Sequence, residues 1–292
     1  MNINKEVGLV LEGGGVKCAY QLGAMMALEE MGYHFKAISG ASFGALNGAL
    51  YIEGGIKKLF DYYNNLKTKD IFVDDNLCDF INNYNGDKSS FLNAFLAFIK
   101  DHQGSFSSDR EAISNYYQSY VAHLVNEEAV NKSPIDFMFS VLEVENNPLL
   151  IPLIATCYFS RNLGPLYLNE TKGTISSKIV NKLDCNKGTL AHYVAASANY
   201  PFFKPLEVEG KYYLDGGILN NVPYQILLDE GYQNIIIIRT KTDELQGKIP
   251  QNENILQILP TKNLGSSLVF THDNIMELIK LGYQDCKNQI KE

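Results

Sequence analysis

The sequence predicts an α/β protein with a mostly parallel central sheet, helices on both faces and a helical insertion. Three observations predict it. Val7–Leu11 and Ile235–Ile238 are short, uninterrupted apolar runs, the pattern of strands buried on both faces. Segments of helical character, rich in Ala, Leu and Met, alternate with such runs, as in a parallel sheet covered by helices. Lys57–Asn147 breaks that rhythm with Asn, Asp, Ser, Tyr and Phe, and reads as helical pieces joined by loops.

In chain order, Val7–Leu11 is the first strand and Val16–Met31 a helix closed by Gly32. Phe35–Ser39 is a second short strand, and Ala45–Ile52 begins a second helix. Within 57–147, Phe91, Phe95 and Phe98 recur at helical spacing, which predicts a helix packed on the core; a lid or acyl-chain wall is the alternative. Ile151–Phe159 is a further strand candidate. Leu190–Ala198 reads as helix, Leu206–Leu214 as a hairpin turning at Glu209-Gly210, and Ile235–Ile238 as a buried strand. Lys241–Asn263, with Pro250 and Pro260, reads as an exposed loop, and His272–Lys291 as a closing amphipathic helix. The chain is expected to form a single domain, 1–292, carrying the 57–147 insertion.

Composition narrows the function. At 292 residues and 46% apolar, the chain can bury a substantial core. A formal charge of −8 with no basic block argues against nucleic acid and against adsorption to anionic lipid by charge alone. Cys18, Cys78, Cys157, Cys185 and Cys286 are scattered without a C-x-x-C pair, which predicts reduced thiols and no structural zinc. No signal-peptide pattern opens the sequence, and no run reaches the ~20 apolar residues of a spanning helix. A cytoplasmic protein with at most peripheral membrane contact is expected. No calcium loop, cofactor motif or metal set is visible, and oligomeric state is not readable.

Three glycine-bearing stretches carry the chemistry. In "VLEGGGVKCAY", Gly13, Gly14 and Gly15 join a strand to a helix, a setting in which backbone N–H groups hold an anion. The anion could be a pyrophosphate, a phosphate or the oxyanion of a reacting ester. A dinucleotide fingerprint fails, since Cys18 stands where its third glycine belongs and Tyr33 and His34 stand near the place of its acidic residue. In "ISGASFGALNG", Gly40-Ala41-Ser42-Phe43-Gly44 is a G-x-S-x-G between strand and helix, the context of a nucleophile elbow. Its glycines allow a tight, strained turn that exposes the Ser42 hydroxyl. In "YYLDGGILNNVP", Asp215 ends an apolar strand before Gly216 and Gly217, where open α/β sheets bind ligands. A serine needs a base, and Asp215 is the candidate. A Ser42–Asp215–His272 triad has the chain order of α/β-hydrolases, but no H-G-G-G loop accompanies it and His272 opens a charged helix. His192, before Asp215 on a helix, reads as structural or exposed. Lys17 could steady an anionic head group or simply be solvated. Cys18 reads as a small packed residue rather than a reactive thiol.

Together these stretches resemble the patatin-like phospholipases, a family of lipid acyl hydrolases. The resemblance rests on Gly13–Cys18, Gly40–Gly44 and Asp215–Gly217 in that order, with support from Ala195–Pro223 and Ile275–Asp285. It does not extend to 57–147, and Cys18 departs from the family's usual glycine. The resemblance implies a three-layer sandwich and a Ser–Asp dyad without cofactor or metal. Ser42 would attack a lipid ester, Asp215 would take its proton, and the Gly13–Gly15 loop would hold the oxyanion. A carboxylate of ordinary pKa, ~3.9, is too weak a base unless burial raises it. A catalytically silent lipid- or protein-binding module of the same fold is the rival reading, and retention of both Ser42 and Asp215 with their glycines weighs against it.

Overall fold

The structure is a computed structural model that describes residues 5–72, 74–84, 93–94, 97–98, 101, 110–145, 175–200, 203–242, 249 and 254–290. Among the described residues its centre is a sheet of eight strands: β1 (Glu6–Leu11), β2 (His34–Ala41), β3 (Asp136–Val144), β4 (Ile175–Asn181), β5 (Leu206–Val208), β6 (Lys211–Asp215), β7 (Ile235–Ile238) and β8 (Ile255–Ile258). The spatial order is β5-β6-β3-β2-β1-β7-β8, with β4 also on β3. Strands β3, β2, β1, β7 and β8 pair in parallel, while β4, β5 and β6 join antiparallel.

Side-chain alternation along the strands separates two apolar cores. Leu9, Leu11, Phe137, Phe139, Ile236 and Ile238 face one core. It also takes residues of α1 (Ala19–Glu30), α2 (Phe43–Asn65), α3 (Thr68–Ile71), α4 (Asp75–Asn83), α5 (Arg110–Leu124), α6 (Glu127–Lys132), α7 (Leu190–Ser197) and α9 (His272–Gln289). Val10, Met138, Ile235 and Ile237 face the other, under α8 (Tyr224–Asp229) with its Ile226 and Leu227. Both faces are therefore covered, which is why the central strands read as uninterrupted apolar runs.

Several predicted boundaries move. The helix expected from Val16 begins as a 3₁₀ turn, Gly15–Cys18, before α1. Helix α2 runs on to Asn65 through a bend at Gly54–Gly55, so residues 57–65 continue it. The end of the proposed insertion is also corrected. Asp136–Val144 (DFMFSVLEV) lies within 57–147 but is β3, an interior strand of the sheet. The expected loop 241–263 contains β8, four residues added in parallel to β7. The strand candidate Ile151–Phe159 and the side chains of Phe91 and Phe95 lie outside the described residues. Phe98 stacks on Phe80 with ring centroids 4.7 Å apart and is half-buried against the core.

Strand β3 decides where the site forms. β4 occupies one of its edges over Met138–Val144. The other edge is shared: β2 pairs with Asp136–Ser140 and β6 with Val141–Val144. β2 runs parallel to β3 and β6 antiparallel, so their C-terminal ends meet head-on along that edge. Ala41 lies opposite Ser140, and Asp215 lies opposite Val141. Two positions far apart in sequence, Ser42 and Asp215, thus become neighbours.

Candidate active site

Ser42 follows β2 directly and precedes α2. Its backbone is held at φ 55°, ψ −134°, in the left-handed half of the map that L residues enter only under constraint. The constraint comes from both sides. Ser42 N–H donates to Ser197 Oγ at 2.9 Å, and Ser197 Oγ donates to Ser140 O of β3 at 2.8 Å. Ser42 O accepts from Ala45 N–H at 2.9 Å and starts the first turn of α2. The glycines of the motif allow the close packing: a Cβ at Gly40 would lie 2.7 Å from Ala45 N, and one at Gly44 would overlap Leu11 O.

Ser42 Oγ donates to Asp215 Oδ2 at 2.6 Å. The other oxygen, Oδ1, accepts from Gly217 N–H at 2.8 Å, inside the glycine turn that ends β6. A Cβ at Gly216 would overlap Ser140 O, so the turn lies flat against β3. Asp215 is fully buried, and loss of solvent pushes its carboxyl up from its ordinary value to about 7; the bonds from Ser42 and Gly217 oppose that rise. Ser42 is itself only 2% exposed, which corrects the expectation of an open hydroxyl: the Gly13 loop lies over it. A Cβ at Gly13 would fall 2.9 Å from Ser42 Cβ.

In that loop the N–H groups divide. Gly13 N–H donates to Asn221 O at 3.2 Å and Val16 N–H to Ser267 O at 3.1 Å. Among the described residues, those of Gly14 and Gly15 have no backbone acceptor, and the Gly14 N–H is directed at the Cys18 sulfur. Gly15 sits at φ +59°, and a Cβ there would overlap Ser267 O and Tyr200 Oη, so this position needs glycine on both counts. Cys18 is fully buried, its Sγ 3.4 Å from Glu12 O, and burial pushes its thiol well above the ordinary range. It is a packed, protonated side chain.

The histidines stand apart. His192 is exposed and bonds through Nδ1 to Gly188 O at 2.9 Å, at the start of its own helix. His272 is exposed at the first turn of α9, 3.9 Å from Asp273 Oδ1. Both oxygens of Asp215 are engaged by other groups, and no described histidine is a partner of Ser42 or Asp215. Sequence reasoning missed the supports: Ser197 and Ser140 behind the elbow, and Glu12, Asn221 and Thr240 around the glycine loop. Nothing in their local pattern marks them, because each acts through a contact distant in sequence.

A serine in a strained strand-to-helix turn, an aspartate in a glycine turn and a glycine loop are thus gathered at the C-terminal ends of β2, β6 and β1. The patatin-like phospholipase family model matches residues 9–228, and the chain belongs to that family. Lysophospholipase NTE1 of Cryptococcus neoformans is 23% identical over 235 residues, covering 80% of this chain but 11% of that protein. Lysophospholipase nte1 of Aspergillus terreus is 53% identical over 47 residues, 16% of this chain and 3% of that one. The chain therefore spans only a small part of the fungal proteins' length. The crystal structure of VipD from Legionella pneumophila superposes with a TM-score of 0.51 at 16% identity, covering 98% of this chain and 66% of that one, which is a likeness of fold.

Proposed function

We propose that the protein hydrolyses fatty acyl esters of lipids, with Ser42 as nucleophile and Asp215 as its base. The observation that carries the reading is the 2.6 Å bond between Ser42 Oγ and a fully buried Asp215 whose basicity is raised. As Ser42 Oγ bonds to the ester carbonyl carbon, its proton passes to Asp215 Oδ2. The carbonyl oxygen becomes an oxyanion, and the N–H groups of Gly14 and Gly15 receive it. Gly13, whose N–H is already engaged, serves by lacking a side chain over Ser42. Collapse of the tetrahedral intermediate breaks the bond to the leaving alcohol, which takes the proton from Asp215. Water, deprotonated by the same carboxylate, then attacks the acyl-serine; the bond to Ser42 Oγ breaks, the proton passes from Asp215 back to Ser42 Oγ, and the fatty acid leaves. No cofactor or metal enters this scheme. The relatives' names make lysophospholipids the first lipid class to assay.

Labelling with a fluorophosphonate, together with hydrolysis of p-nitrophenyl esters of rising acyl length, tests the reading. Wild type is expected to label and to turn over, Ser42→Ala to do neither, and Asp215→Asn to lose most turnover. His192→Ala and His272→Ala are expected to keep wild-type rates; a loss in either as deep as that of Ser42→Ala refutes the dyad. A wild type that neither labels nor hydrolyses would instead favour a silent binding module.

A further inference from the structure

The peptide joining Gly13 to Gly14 is planar and trans, so its C=O and its N–H point in opposite directions. Whatever fixes the carbonyl therefore aims the N–H. Gly13 O is fixed by two donors: Thr240 Oγ1 at 2.9 Å and Asn221 Nδ2 at 3.2 Å. One buried carboxylate holds both donors. Glu12 Oε2 accepts from Thr240 N–H at 2.6 Å and from Arg239 Nε at 3.0 Å, and Oε1 accepts from Asn221 Nδ2 at 3.1 Å. Glu12 is 1% exposed, and Arg239 and Thr240 are buried with it at the end of β7. Asn221 reaches in two directions. Its own carbonyl accepts from Gly13 N–H, and its Oδ1 lies where a Cβ on either Gly13 or Gly217 would have to sit.

We propose that Glu12, Asn221 and Thr240 are positioning residues that aim the Gly14 N–H at the developing oxyanion, with Asn221 tying that aim to the turn that holds Asp215. The inference rests on the hydrolase reading above. Two donors converge on the carbonyl of the peptide whose N–H, that of Gly14, has no backbone acceptor and only the Cys18 sulfur against it. Loss of either frees that peptide to rotate, which would turn an acceptor toward the oxyanion in place of a donor. Such an error is felt in the transition state rather than in substrate binding.

Thr240→Val is the sharpest test, because it removes the hydroxyl while keeping the shape and the backbone bond to Glu12. Loss of a complete oxyanion donor costs ~100- to 1,000-fold, so misaiming one is expected to lower kcat about ten-fold. KM should stay at its wild-type value, and the fluorophosphonate labelling rate should fall in step with kcat. Thr240→Ser should restore the rate, and Asn221→Ala should lose more than Thr240→Val. Wild-type kcat in Thr240→Val, a defect confined to KM, or no rescue by Thr240→Ser would overturn the assignment while leaving the hydrolase reading intact. A wild type without esterase activity, or an active Ser42→Ala, would bring down the hydrolase reading itself.

Discussion

In the proposed mechanism Asp215 acts as a base toward an alcohol, and its burial sets the pH at which it can. Only the ionised carboxylate accepts the Ser42 proton, and desolvation raises its pKa to about 7. Activity should therefore rise with pH and level off above neutrality. A pH profile of kcat/KM on a neutral p-nitrophenyl ester is expected to show one rising limb with its midpoint near 7. A midpoint near the ordinary carboxylate value would mean that Asp215 is solvated in the working enzyme. The elbow gives a second prediction at this scale. Ser197 Oγ is the acceptor for the strained Ser42 N–H. Ser197→Ala leaves that buried donor unsatisfied, at a cost of about 1–3 kcal/mol. Thermal denaturation should show the loss, and single-turnover acylation should slow because the constraint on φ at Ser42 is weakened.

Among the elements, the pair α1 and α9 shows how closely this fold is packed. The helices cross at Gly23 and Gly282, where a Cβ on Gly23 would overlap Ile279 O and one on Gly282 would overlap Tyr20 O. Beside the crossing, Tyr20 Oη donates to Asp285 Oδ2 at 3.1 Å. Gly282→Val forces backbone apart, which typically costs about 1–3 kcal/mol, and is expected to lower the thermal midpoint by several degrees. An unchanged midpoint would mean that the helices are free to separate. Helix α5 has a different role. Tyr117 Oη donates to Ala198 O at 2.7 Å and Gln118 Nε2 to Lys204 O at 2.7 Å, so the helical region around 57–147 braces the segment leading into β5 and β6. β1, β2 and β7 were legible because apolar runs bounded by glycine or polar residues need no partner to be recognised. β3 was not, although DFMFSVLEV is largely apolar, since Asp136, Ser140 and Glu143 interrupt it and only its neighbours β2, β4 and β6 show that it lies inside the sheet.

For the whole molecule, the proposed role of the same carboxylate sets activity against stability. The folded state holds the Asp215 proton to about pH 7, whereas the unfolded chain releases it near 3.8. Between those values the native state binds more protons, so the stability present below pH 3.8 is lost as pH rises to about 7. Asp215→Asn has no such titration. Its thermal midpoint should gain on that of wild type as pH is raised from mildly acidic to neutral, while its turnover is lost. Each tenfold difference in proton affinity between the folded and unfolded chain is worth about 1.4 kcal/mol, enough to move the midpoint measurably. Equal pH dependence in the two proteins would show that the carboxylate is not buried in solution. No described helix is long and apolar enough to cross a membrane.

By itself the sequence determined the groups available: a serine and an aspartate, each in a glycine turn after a strand, and a third glycine turn between a strand and a helix. It determined these because turn geometry and strand burial are local and leave their mark on adjacent residues. The tertiary structure decided which groups meet and how they are tuned. The head-on approach of β2 and β6 along β3 sets the 2.6 Å bond, complete burial raises Asp215, and the N–H groups of Gly13 and Val16 find backbone acceptors where those of Gly14 and Gly15 do not. These depend on contacts between residues far apart in the chain, and no local pattern encodes them.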